Sequence, residues 1–132
     1  MQTNKTMIPL PTLAEITQIE KNLNREFPKS FKKYVSRHRN FKSLQFSSED
    51  ISFIKGIDDI KKFSKQSACH ISSLLLFFID RANQDYYCFD KNNKVVVFSI
   101  HTIVHEWKDF GDWINWCNEK NGNSSKTSLN SA

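Results

Sequence analysis

Residues 83–90, NQDYYCFD, set a cysteine among aromatic residues, with Asp85 and Asp90 flanking it and His101 a short way downstream. Cysteine with histidine is the pairing of an activated sulfur nucleophile: only the thiolate attacks, and an imidazole can take its proton. In an extended strand Tyr86, Cys88 and Asp90 share one face, and Tyr87 and Phe89 the other. The local pattern leaves either face a candidate for burial. A thiol between aromatic rings is more often small core filling, because apolar surroundings raise its pKa and make it inert. The chain has only 3 glycines, none near Cys88 to build a turn of amide donors around an oxyanion. Core filling is the favoured reading, and an enzyme is not expected.

The other candidate chemistry is weighed in the same way. His101 and His105, with Glu106 and Asp109 nearby, could approach a metal-ligand set. The intervening Thr102-Ile103-Val104 is β-branched and favours a strand, so surface histidines are the expected reading. Cys69, Cys88 and Cys117 are odd in number and widely spaced, without a C-x-x-C pair, which argues against structural zinc and for reduced thiols. Asp80, Asp85 and Asp90 fall at strand ends, where aspartates commonly stabilise turns. No metal and no cofactor is expected. Trp113 lies on an apolar helical stripe, whereas Trp107 and Trp116 are less clearly buried, and an exposed tryptophan is a frequent binding anchor.

These residues need a scaffold, and the hydrophobic spacing supplies one. Thr12 and Glu15 form a capping-box pattern ahead of Leu13, Ile16, Ile19 and Leu23, which recur at helical spacing. Pro28 suits the first turn of a second helix, with Phe31, Tyr34 and Val35 inward and Lys29, Lys32, Lys33 and Arg37 outward. That helix is expected to end near residues 37–40, with Asn40 as a left-handed cap. Residues 42–46 and 51–57 alternate like short strands, and 58–66 reads as one or two helical turns started by Asp58 or Asp59. Three β-prone runs follow, at 72–80, 85–90 and 94–100, the last two joined as a hairpin through Lys91-Asn92-Asn93. Asp109 is a natural N-cap for a closing helix carrying Phe110, Trp113, Ile114 and Cys117 on one face. The expected architecture is a single α+β domain. It has two N-terminal helices, a central antiparallel or mixed sheet of four to six strands, and a C-terminal helix.

Charge and length narrow the class. At 132 residues with 39% hydrophobic and 13% aromatic content, one modest core is the default. Of the net charge of +5, the stretch from Lys21 to Lys42 holds eight cations against Glu26 alone, a local +7 that leaves the remainder at −2. Such a stretch is either a solvated helix face or a surface that steers an anionic partner. No zinc finger, helix-turn-helix or aromatic RNA-binding signature accompanies it. The start of the chain has no signal-peptide pattern, and the longest apolar run, Leu74 to Ile79, is too short to span a bilayer. A soluble, cytoplasmic protein is expected.

The order of these motifs resembles the SUKH superfamily, the grouping of bacterial immunity proteins with fungal cell-wall synthesis regulators. Phe27-Pro28, Phe31, Tyr34 and Asn40 stand where that family has a segment ending in Asn-Gly. Asn83 to Asp90 is similar to its central strand, Val95 to His101 to the next strand, and Asp109, Phe110, Trp113 and Ile114 to its terminal helix. There are two departures: Phe41 replaces the glycine after Asn40, and Arg81-Ala82-Asn83-Gln84 replaces a glycine pair before the central strand. The resemblance implies a SUKH-like domain over 12–119, preceded by an N-terminal extension over 1–11, and the low-complexity polar composition of 120–132 reads as a disordered tail.

It further implies a non-catalytic immunity protein that neutralises a cognate bacterial toxin domain by protein–protein occlusion. That toxin would be of a contact-dependent or polymorphic system, for instance a nuclease. A regulatory scaffold of the same fold is the alternative, and a nucleic-acid binder is less favoured. No membrane partner is expected. The partner-contact residues expected are the exposed groups bordering the sheet: Asp80, Asn83, Asp85, Tyr86, His101 and Trp107. The basic second helix suggests either an acidic partner or a contact surface elsewhere.

Overall fold

The computed structural model describes residues 6–46, 50–66, 74–99 and 102–119. Helix α1 spans Leu13–Leu23 and begins with the expected capping box: Thr12 Oγ1 accepts from the Glu15 amide at 3.1 Å, and Glu15 Oε1 accepts from the Thr12 amide at 2.8 Å. Its left-handed C-cap is Asn24, at φ 55°. Helix α2, Lys29–Arg37, starts immediately after Pro28 and ends at His38 in an extended conformation. The left-handed cap expected at Asn40 is therefore not there. Asn40 instead opens strand β2, Asn40–Ser43, which pairs antiparallel with β1, Thr6–Pro9. The sequence reading assigned no element to residues 6–9; a four-residue edge strand carries too little periodicity to stand out.

The main sheet is antiparallel, with the simple order β3-β4-β5-β6-β7. Its strands are β3 (Ile51–Phe53), β4 (Leu75–Asp80), β5 (Asp85–Phe89), β6 (Val95–Ser99) and β7 (Thr102–Trp107). Helix α3, Ile57–Gln66, connects toward β4, and α4, Phe110–Cys117, closes the domain. The chain is thus α+β, with five antiparallel strands in its principal sheet.

Alternation along β5 separates two packing faces. Tyr87 and Phe89 point toward α2 and α4, where Phe31 meets Phe89 at 5.5 Å and Tyr87 meets Trp113 at 5.6 Å between ring centroids. Tyr86 points to the opposite face, where Phe63 of α3 lies 4.9 Å away. A bulge in β4 between Leu76 and Phe78 breaks the alternation, so Phe77 and Phe78 both reach Trp113, at 5.2 and 5.4 Å. All six residues of β4 are buried because helices cover both faces of the sheet, α2 and α4 on one side and α3 on the other, which is why Leu75 to Ile79 is continuously apolar. The outcome is an aromatic core around Phe31, Phe41, Phe53, Phe77, Phe78, Phe89 and Trp113, each at most 2% exposed. Helix α4 is also tied to β2 through its C-terminal end, where the Cys117 carbonyl accepts from the Leu44 amide at 2.8 Å and from the buried Ser43 hydroxyl at 3.1 Å.

Candidate partner-binding face

The β4–β5 turn gathers most of the residues singled out from sequence. Asp80 ends β4, and its carboxylate folds back over the turn, with Oδ2 accepting from Asn83 Nδ2 at 2.9 Å and Oδ1 from the Asn83 amide at 3.4 Å. This Asx-type arrangement holds Arg81 to Gln84 as an exposed loop, and Gln84 takes a left-handed φ of 58°. Arg81 reaches sideways, its Nη1 donating to Ser52 Oγ on β3 at 2.8 Å. Asp80 is itself 3% exposed, so the accessible contact group expected there is corrected to a buried turn support. Asn83 is exposed as expected.

Asp85 is the cross-strand partner of Asp80 on one side and of Ser99 on the other. Burial pushes its carboxyl pKa above the usual carboxylate range, and the nearby Asp80 charge adds to this; a hydrogen bond with Ser99 and the His105 ring act against it. His105 belongs to the same sheet face, through the register Tyr87–Val97–His105. Tyr86, half-buried on the opposite face, lines a groove of about 280 Å³ with Asp59, Lys62, Phe63, Ile79 and Arg81. Arg81 and Lys62 escaped the sequence reading because α3 and the turn converge only after the sheet forms.

Trp107 is 3% exposed, packed against Trp116 at 5.0 Å and Tyr87 at 6.0 Å. The exposed anchor expected there is corrected to a core residue: Val95, its register partner, and α4 place its ring inside. The Nε1 groups of Trp107 and Trp113 find no hydrogen-bond partner among the described residues, so both indoles serve as apolar volume. His101, and with it the proposed pairing to His105, lies outside the described residues.

Cys88 is fully buried on the Tyr86 face, opposite to His105, and its thiol points to the Tyr86 carbonyl at 3.8 Å. Burial raises its pKa, and the Arg25 charge acts in the opposite direction without cancelling it. A thiol in that state holds its proton and is no nucleophile. Cys117 is raised by burial in the same way. No helix of the described residues is long and apolar enough to cross a membrane.

No curated protein and no solved structure shows a significant match to this chain. The family model of the SMI1 / KNR4 family (SUKH-1) matches residues 10–116, which takes in α1 to α3, the whole five-stranded sheet and all of α4 but Cys117. The chain therefore belongs to the SMI1 / KNR4 family, SUKH-1.

Proposed function

We propose that this chain is an immunity protein, which binds a cognate bacterial toxin domain stoichiometrically and neutralises it by covering its working surface. Membership of the SUKH-1 family over residues 10–116 carries the reading. The chemistry of the β4–β5 region supports it. Its most nucleophilic side chain, Cys88, is packed away and held protonated, while the turn presents Asn83, Arg81 and the edge of Tyr86 on a rigid sheet end. A buried scaffold with polar groups held at its rim suits recognition rather than turnover. Asn83, Asp85 and Tyr86, with Arg81 beside them, are the contact residues proposed. The toxin is a contact-dependent or polymorphic one, with a nuclease as the reference case, and the encounter takes place in the cytoplasm.

Co-expression with the C-terminal domain of the protein encoded next to this gene tests the reading. The expected result is a 1:1 complex on size exclusion and restored growth of cells making that domain. A neighbouring domain that is toxic, yet neither bound nor relieved, would sink the proposal.

A further inference from the structure

The basic segment takes on a definite shape once α2 is packed. Lys32 turns toward α1, with Nζ 3.1 Å from Glu20 Oε2 and 3.5 Å from Glu26 Oε1, so its charge is answered within the domain. Lys29, Lys33 and Arg37 follow one another at i, i+4 and i+8 along another side of the helix, all exposed and without an ion pair among the described residues. Like charges four residues apart on a helix repel, so this stripe is a liability for the isolated domain.

Beside the stripe, α2 and α4 leave a groove of about 400 Å³. Its floor is apolar, made by Tyr34, Phe110 and Ile114, while Lys33, Arg37 and His38 form one rim and Gly111 and Asn115 the other. The α4 rim carries no charge at these positions. Tyr34 is fixed between two rings: His38 stacks on it at 4.3 Å and 25°, and Phe110 meets it edge-on at 5.5 Å.

From this juxtaposition we infer that the α2–α4 groove is a docking site for an acidic segment of a protein partner, one that inserts an apolar side chain onto Tyr34 and Ile114 while flanking carboxylates meet Lys33 and Arg37. The charge of the rim selects an anion, and the apolar floor selects a protein segment over a nucleic acid. A phosphodiester chain offers no apolar side chain to seat on this floor, and His38 already takes one face of Tyr34, so the groove holds no open run of aromatic faces for successive bases to stack on. Arginine adds geometric fit, since its planar fork can hold a carboxylate through two hydrogen bonds. Identifying this partner with the toxin domain rests on the immunity reading; the chemistry of the groove does not.

The test uses the full chain, isotopically labelled, titrated with three probes: a peptide carrying one phenylalanine flanked by glutamates, the same peptide with lysines for glutamates, and a single-stranded oligonucleotide. The glutamate peptide is expected to shift the amides of Lys33, Tyr34, Arg37, Ile114 and Asn115. The double variant Lys33→Glu/Arg37→Glu should weaken that binding about tenfold or more, with Lys33→Gln/Arg37→Gln intermediate, and added salt should weaken it further. Both positions are exposed, and an unchanged circular dichroism spectrum certifies the fold. Absence of groove shifts, equal binding of the lysine peptide, or tighter binding of the oligonucleotide at these residues each overturns the inference. With the toxin domain as ligand, unaltered affinity in the double variant removes the groove as its docking site and leaves the immunity reading standing. Failure of wild-type protein to bind that domain, with the peptide still seated in the groove, removes the immunity reading alone.

Discussion

Phe41 and Trp113 stack with ring centroids 5.4 Å apart and planes within 5° of parallel, joining strand β2 to helix α4. Phe41 is also 5.1 Å from Phe53 and 5.5 Å from Phe78, and it is fully buried. It occupies the position after Asn40 where the related pattern has a glycine, so a turn residue has been exchanged for a core plug. Phe41→Ala should cost about 3–5 kcal/mol, the usual range for emptying a buried phenylalanine site. A urea titration followed by tryptophan fluorescence measures it; a loss below about 1 kcal/mol would show that the β2–α4 stack carries little stability.

The second departure from the family pattern has a different consequence. Gln84 sits at φ 58°, in the left-handed region that a glycine enters freely and an ordinary L-residue enters at a cost. Gln84→Gly should therefore stabilise the protein by about 0.5–1 kcal/mol despite the greater freedom of glycine in the unfolded chain. The denaturation midpoint is expected to rise with unchanged slope, whereas a fall would mean that the Gln84 side chain makes a compensating contact.

The carboxyl of Asp85 predicts a pH signature. Its folded-state pKa lies above the ordinary value, through burial first and the Asp80 charge second. The folded state therefore holds that proton more tightly than the unfolded chain. The associated stability is complete below the ordinary carboxylate pKa of about 4 and is lost as pH rises through the raised folded value. Asp85→Asn is expected to raise the melting temperature at pH 7 and to give no gain at pH 3. A gain of equal size at both values would assign the effect to packing rather than ionisation.

The buried thiols give a chemical check. Cys88 and Cys117 are fully buried, and burial raises both pKa values. At pH 8 neither should react with a thiol reagent in the native protein, and both should react promptly in denaturant, as mapped by peptide mass spectrometry. Cys88→Ala should preserve whatever binding the wild-type chain shows, at a modest cost in stability. Rapid native labelling at Cys88 would reopen the nucleophile reading.

Sequence alone determined the elements with strong local signals. The Thr12–Glu15 box, the α4 apolar stripe, the Ile16 and Ile19 centre of the α1 stripe and the Lys91–Asn93 hairpin follow from contacts within a few residues, which periodicity and capping chemistry report directly, whereas Leu13, expected on the same α1 stripe, stays exposed. Core filling, the favoured reading of Cys88, agrees with its full burial, but its adjacent aromatics Tyr87 and Phe89 turn to the other face, and its cross-strand neighbours are Leu76 and Val96. What only the tertiary structure decided is which surfaces stay outside. Trp107 and Asp80 were indistinguishable from exposed strand-end residues until α4 and the β4–β5 turn closed over them. The basic stripe of α2 looked uniform until α1 neutralised Lys32 and left Lys33 and Arg37 beside the apolar floor of α4. The groove joins helices far apart in the chain, and even the nearer contacts, Lys32 with Glu20 and Trp107 with Trp116, depend on how the helices pack, which a one-dimensional pattern does not record.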